Sequence, residues 1–395
     1  MSVENNQQFK VAAYVICLVA SAVNNRKAPE KPENLSWQEI FDFAGLQSVL
    51  NLVSYACETL TDKPEPRQMK YLREFRKQKM IIEAQQEIEA CDVFDRLETM
   101  GVRYMPLKGY IVKNLYPSPD MRTMSDIDVL ADADRIREVG DALVKEGFSF
   151  DGEGDLHANL KRGQASFELH RFLVNQSYKN LTAYFGDGFS RAKKCDGFNY
   201  RYELSREDMY IFLLAHLAKH YRYGGTGIRT VLDLYVYRRA CPDLDMDYVY
   251  AETEKIGIDR FQRKVEKIAD DWFGGSFNGE FNAVSGYIIS GGTYGVHDRN
   301  VVNDVINQSE GKSVTAGKIK SIFRMIFPDY KLMSELFPQL KKCAVLLPVF
   351  WVIRWFKSLF GKNSNLKKTM EISAEIINAD ENDIAAQREA ELGEL

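Results

Sequence analysis

Along the first hundred residues, apolar positions recur at the three-to-four-residue interval of helices. Val11 to Val23 is apolar except for Ser21, and a helix is predicted over Phe9–Ala22. Ser36-Trp37-Gln38-Glu39 has the Ser-x-x-Glu spacing of a capping box and opens a second helix. Pro64 to Pro66 marks a break, and Gln68 to Met100 reads as one long charged helix. Its apolar positions include Met80, Ile81, Ile88, Val93, Phe94, Leu97 and Met100. Between 101 and 204 the pattern shortens to short apolar runs of strand character. Strands are predicted at Val102–Leu107, Ile127–Ala131, Phe148–Phe150, Ala158–Lys161, Ser166–Phe172 and Phe198–Leu204, with helices Tyr110–Leu115 and Ala133–Glu146 between them. From Ser205 the pattern is helical again: Ser205-Arg206-Glu207-Asp208 caps a helix to about Tyr221, and another runs from about Ile228 to Arg239. The predicted class is α+β, with a mixed-sheet core at 101–204. Helical regions flank it at 1–100 and 205–310, followed by a basic apolar-aromatic segment at 311–370 and an acidic tail at 371–395.

The chemistry concentrates in the strand-rich region. Asp126 and Asp128 are two apart in an apolar run containing Ile127, Val129 and Leu130. On a strand, residues i and i+2 face the same side, so two carboxylates project together. Like charges that close raise the free energy unless a cation neutralises them, and carboxylates are the hard oxygen ligands that Mg²⁺ prefers. Glu168, in Ser166-Phe167-Glu168-Leu169-His170, offers a third carboxylate. Lys108-Gly109 stands at a predicted strand-to-helix junction. There the glycine allows close backbone approach to a ligand, free N–H groups favour an anion, and the lysine adds a point charge for phosphate. Arg122 lies four residues before Asp126 and is expected to orient it, to clamp phosphate bidentately, or to form a loop salt bridge.

These residues resemble the uncharacterised nucleotidyltransferases of bacteria, a divergent branch of the DNA polymerase β-like superfamily. The resemblance spans roughly 100–360. It rests on Leu107-Lys108-Gly109, Tyr116-Pro117-x-Pro119-x-x-Arg122, Ser125-Asp126-Ile127-Asp128-Val129-Leu130 and Phe167-Glu168-Leu169-His170. Weaker matches are His216-Leu217-x-x-His220, Ile228-Arg229-x-x-x-Asp233 and Ser290-Gly291-Gly292-Thr293-Tyr294-Gly295. It implies a polymerase β-like mixed sheet flanked by helices and Mg²⁺ (or Mn²⁺) on Asp126, Asp128 and Glu168. It further implies an NTP bound near Lys108, Gly109, Arg122, Ser125, His170, His216 and His220. Transfer of a nucleoside monophosphate to an acceptor hydroxyl or phosphate follows, with Glu168 also placed to assist deprotonation. The chain departs from the superfamily pattern at Tyr110, where serine is usual after the glycine, and in the longer gap from Gly109 to Asp126.

His216 and His220 share a helix face. With Ala218 and Lys219 between them they lack the glutamate of the zinc-protease motif. Three readings stay open: a pair hydrogen-bonded inside a helix interface, a cleft lining near nucleotide or acceptor, and a metal-binding pair. Gly224-Gly225-x-Gly227 reads as an interhelix turn, and Arg229 with Asp233 as an i, i+4 pair. Tyr221, Tyr223, Tyr235 and Tyr237 read as core aromatics ahead of a base-stacking platform.

Composition narrows the class. The 395 residues are 45% hydrophobic and 27% charged with a net charge of −4, which is ordinary globular chemistry. Six scattered cysteines without a Cys-x-x-Cys pair favour reduced thiols and a cytoplasmic protein. The Val11–Val23 run has polar residues before it and is too short to span a bilayer, so a buried helix is expected. From Lys312 to Lys368, twelve Lys/Arg face only Asp329 and Glu335, a net of +10. Inside that segment, 343–360 is apolar and aromatic. It is expected to pack on the protein's own core, with peripheral membrane contact as the next reading and RNA contact third. The acidic tail is expected to be a solvated helix or disordered. No DNA partner is expected, and the acceptor (small molecule, sugar phosphate, tRNA or protein) stays open. Two readings compete with the enzyme. One is a catalytically degenerate nucleotide-binding module recruiting partners in a cell-surface polysaccharide or peptide-modification pathway. The other is a membrane-surface scaffold.

Overall fold

The computed structural model describes residues 3–153, 157–223 and 226–292, with shorter stretches at 323, 327–330, 333–334, 337–341, 344–360, 385–386 and 389–392. A five-stranded mixed sheet forms the α+β centre. Its strands are β1 (Tyr104–Pro106), β2 (Ile127–Ala131), β3 (Ser149–Glu153), β4 (His157–Arg162) and β5 (Ala165–His170), in the order β1-β2-β5-β4-β3. Only β2 and β5 run parallel. The predicted strand at Phe198–Leu204 contracts to β7 (Tyr202–Leu204), which pairs with β6 (Ala192–Lys194) in a separate ribbon.

The two-residue period divides the sheet into an apolar and a polar face. On β2, Ile127, Val129 and Ala131 enter a core with Ala158, Leu160, Phe167 and Leu169 of β4 and β5. This face is covered by α4 (Pro66–Met100) and α6 (Ile136–Lys145), through Ala90, Val93, Phe94 and Leu97 of the first and Ile136, Val139 and Leu143 of the second. Each such fully buried large side chain contributes about 1.5–3 kcal/mol. Asp128, Glu168 and His170 point to the opposite face, because they are out of phase with that core.

Helices α1 (Val3–Val23), α2 (Trp37–Leu46) and α3 (Leu50–Cys57) precede α4. The capping box of α2 is present in both directions: Glu39 N donates to Ser36 Oγ at 3.2 Å, and Ser36 N to Glu39 Oε2 at 3.0 Å. After the sheet come α7 (Lys179–Phe185), α8 (Arg206–Tyr223), α9 (Ile228–Ala240), α10 (Met246–Ile256), α11 (Asp259–Phe273) and α12 (Ala283–Gly291). Asp208 N donates to Ser205 Oγ at 3.0 Å, as a cap for α8 requires. The N-terminal and C-terminal helices share one core, in which Ile16, Val53, Phe212, Phe261 and Trp272 are buried together. Buried Gln47 ties them: its amide donates to the Ile289 carbonyl at 2.7 Å and its oxygen accepts from Ile228 N at 2.9 Å. The long α4 bridges both cores, with Met69 and Leu72 in the helical one and Val93 and Leu97 under the sheet.

Several expectations are corrected. Met80, Ile81 and Ile88, apolar positions of the periodic pattern in α4, are exposed, because that middle stretch spans between the two cores. The predicted helix Tyr110–Leu115 starts earlier and is shorter, α5 (Lys108–Val112), then continues as one 3-10 turn. The acidic tail is not wholly solvated: Ala386 and Ala390 enter the helical core, Tyr221 Oη donates to the Ala386 carbonyl at 3.0 Å, and Glu391 pairs with Lys264 and Arg260. In the helix Leu347–Phe360, Trp351 Nε1 donates to the Pro328 carbonyl at 2.8 Å and Phe350 packs on Phe337. Packing on the protein itself thus accounts for one side. Val345, Val349, Val352 and Ile353 stay exposed. Among the described residues no helix is long and apolar enough to cross a membrane. Tyr221 and Tyr237 are core residues and Tyr235 packs against the core, while the Tyr223 side chain, Gly224 and Gly225 lie outside the described residues.

Candidate functional site

A cleft of about 570 Å³ separates the polar sheet face from α8 and α9. One wall is made by strand register. Asp128 on β2 lies opposite Glu168 on β5, and His170 lies opposite His157 on β4. Asp126, two residues before Asp128, projects to the same side. Carboxylate oxygens of Asp126, Asp128 and Glu168 all lie within 4.8 Å of one another. The donor set is therefore three hard oxygens from three positions of one surface, which fits a Mg²⁺- or Mn²⁺-class ion.

The electrostatics of the three carboxylates differ. Burial raises the Asp128 carboxyl, but the Lys108 charge and the His170 hydrogen bond outweigh it and hold the group well below the usual carboxylate range. Its Oδ1 accepts from Lys108 Nζ at 2.6 Å and lies 2.7 Å from His170 Nε2. Asp126 is pushed up, first by burial and then by the charges of Asp128 and Glu168, against a hydrogen bond from Ser125 Oγ at 2.6 Å. Glu168 is pulled down by its hydrogen bond to His170, against burial. His170 is pushed up: burial works against its charge, and the bonds to Asp128 and Glu168 prevail.

Lys108 stands at the strand-to-helix junction with φ +46°, a left-handed conformation unusual for a side chain with a Cβ. Such strain persists only where the surroundings over-determine it, and here the ammonium is held by Asp128. Gly109 borders the cleft and also has a packing role. A Cβ there would lie 2.6 Å from Arg122 Nη1 and 3.0 Å from Met124 Sδ, so the glycine makes room for the arginine. Of the three readings for Arg122, the structure shows the loop salt bridge. The arginine bonds Asp233 on α9, with Nη2–Oδ2 at 2.8 Å and Nε–Oδ1 at 3.2 Å, and Tyr116 Oη donates to the same Oδ1 at 2.8 Å. Asp233, read as a partner of Arg229, thus has a longer-range one, and Arg229 Nη1 donates to the Thr123 carbonyl at 3.1 Å. Both contacts tie the loop before β2 to α9.

The opposite wall comes from α8. His216 and His220 line the cleft with ring centroids 4.4 Å apart, edge to face. Burial, then Lys108, His220 and Lys219, push His216 far below the ordinary histidine range, and burial with Lys219 pushes His220 down to about 4. Both are neutral at pH 7. Lys219 also lines the cleft; burial and Lys108 lower its pKa, offset by the charges of Asp128 and Glu168. Thr226 is 1% exposed, lines the cleft, and its Oγ1 has no hydrogen-bond partner among the described residues. A buried hydroxyl without a partner requires an explanation, and a bound ligand supplies one.

The ten residues singled out from sequence, Lys108, Gly109, Arg122, Ser125, Asp126, Asp128, Glu168, His170, His216 and His220, all border this one cleft. Sequence reasoning missed His157, Lys219, Thr226 and Arg229 as its neighbours. Lys219 carried a usable signal, being three residues from His216 on one helix. His157 and Thr226 carried none, because only strand pairing and the α8–α9 loop bring them in. No curated protein and no solved structure matches the chain. Residues 33–274, more than half of the chain, match the family described as uncharacterised nucleotidyltransferase, and the chain belongs to that family.

Proposed function

We propose that this protein transfers a nucleoside monophosphate from an NTP to an acceptor hydroxyl or phosphate, and that Asp126, Asp128 and Glu168 are its metal-binding carboxylates. The observation that carries the reading is the convergence of these three carboxylates on one cleft wall, faced by Lys108 and Lys219. A Mg²⁺ or Mn²⁺ ion held there would supply Lewis-acid stabilisation of charge on the phosphates. The chain's own residues do the rest. Lys108 and Lys219 lie within the cleft to attract and orient a polyanion. Thr226 offers a hydroxyl donor, and Glu168, kept ionised beside His170, can accept the acceptor's proton. The acceptor oxygen bonds to the α-phosphorus as the bond to the β-phosphate bridging oxygen breaks and pyrophosphate leaves. Neutral His216 and His220 line the opposite wall without adding charge.

Labelled NTPs, tested one base at a time with Mg²⁺ or Mn²⁺ and host lysate as acceptor pool, check this directly. Wild type should transfer label, whereas Asp128→Asn should lose at least a thousandfold while its circular dichroism stays native. Normal turnover by Asp128→Asn would remove the assignment. Metal-dependent NTP binding without transfer by wild type would favour the degenerate binding module.

A peripheral membrane contact through 343–360 belongs to the same proposal. It is supported by exposed Val345, Val349, Val352 and Ile353 in a segment whose flanks, from Lys312 to Lys368, are strongly basic.

A further inference from the structure

The polar sheet face carries a second ligand set beside the carboxylate triad. His157 on β4 and His170 on β5 are directly opposed in the antiparallel ladder, and Glu168 lies two residues from His170 on the same face. Potential ligand atoms of His157, Glu168 and His170 all lie within 4.8 Å of one another. In a closed site with bonds of about 2.0–2.2 Å, ligand atoms sit roughly 3–4 Å apart, so modest side-chain rotation closes this set. His170 Nε2 already aims at carboxylate oxygens, 2.7 Å from Asp128 Oδ1 and 3.4 Å from Glu168 Oε2. The two imidazole rings are close as well, with centroids 5.6 Å apart. All three residues border the cleft and are only partly buried, so an ion has access.

The donor chemistry of the two sets differs. Asp126, Asp128 and Glu168 offer oxygen alone. His157, Glu168 and His170 offer two nitrogens and one oxygen. Mg²⁺ and Mn²⁺ prefer oxygen, whereas imidazole suits the later transition ions such as Fe²⁺, Co²⁺, Ni²⁺ and Zn²⁺. We propose that His157, Glu168 and His170 form a second divalent-cation site, selective for a transition ion over Mg²⁺, which shares Glu168 with the oxygen site. One cleft then sorts two classes of ion by donor type, and the face needs no residue beyond those that strand pairing already aligns. The proposal concerns ion binding alone and does not depend on the transfer activity.

The test uses the full chain, stripped of metal, with Co²⁺ as the probe and no nucleotide. Co²⁺ is added in the presence of a large excess of Mg²⁺, and its visible absorption and binding stoichiometry are followed. Wild type should take up one Co²⁺ per chain with nitrogen-ligand absorption. His157→Gln, which removes a ligand but keeps a polar side chain on the strand, should weaken Co²⁺ at least tenfold while near-ultraviolet circular dichroism stays native. Mg²⁺ binding measured by calorimetry should change less than twofold in that variant, because His157 is outside the oxygen set. Unchanged Co²⁺ affinity in His157→Gln, or complete displacement of Co²⁺ by Mg²⁺ in wild type, would overturn the proposal. Neither outcome bears on nucleotidyl transfer, which the Asp128→Asn comparison reads separately.

Discussion

Replacing Asp233 with Asn tests how the two walls of the cleft are held together. Arg122 and Asp233 lie 111 residues apart, and their side chains are only 11% and 6% exposed. The contact is two-pronged, at 2.8 and 3.2 Å, and Tyr116 adds a third hydrogen bond to the same carboxylate. Asp233→Asn keeps the shape and an oxygen for Tyr116, but it leaves the guanidinium as an unbalanced charge with little water. Removing one partner of a buried pair costs about 3–5 kcal/mol, whereas a surface pair is worth about 0–1 kcal/mol. The expected loss is therefore about 3 kcal/mol or more, measured by urea unfolding at pH 7 with circular dichroism. Arg122→Met alone should cost a similar amount, and the double variant Arg122→Met/Asp233→Asn should recover part of it, since no lone charge then remains. Losses below about 1 kcal/mol, or single-variant effects that simply add in the double variant, would refute the reasoning.

Two further outcomes follow from other parts of the structure. His220 titrates near 4 in the fold against about 6.5 in an unfolded chain, so the unfolded state takes its proton first. The stability it contributes is present above about pH 6.5 and is lost as pH falls toward 4, at most about 3 kcal/mol, with His216 acting in the same direction. Urea unfolding at pH 7.5 and 5 should show a smaller acid loss in His220→Gln than in wild type; equal losses would contradict the assignment. The 343–360 segment should bring the full chain down with anionic lipid vesicles and not with neutral ones, and Val349→Glu/Val352→Glu should abolish this; sedimentation unaffected by that variant would remove the membrane reading.

How much was legible in advance varies from element to element. The strand Ile127–Ala131 was predicted with its bounds because it is a short apolar run ending in a turn. The α2 capping box and the Ser205 cap were readable for the same reason: each depends on residues three apart. Asp126 and Asp128 sharing a face followed from the two-residue period alone. The exposed middle of α4 was not readable, because whether an apolar side chain is covered depends on what arrives from elsewhere. Nor was the burial of Ala386 and Ala390 within an acidic tail, whose composition favours solvent while two alanines find the helical core. At Gly109 the chain points to a ligand, and only packing adds that the absent Cβ makes room for the Arg122 guanidinium.

By itself, then, the sequence determined most of the helices and strands around the centre of the chain, and ten of the residues that border the cleft. Period and capping act over a few residues, and their energetics travel with the local chain. Only the tertiary structure decided that Glu168 stands beside Asp128, that His157 meets His170, and that Arg122 reaches Asp233. Those partners are set by strand register and helix docking, whose energies come from burying Phe167, Leu169 and the shared helical core, and no spacing along the chain encodes them one pair at a time.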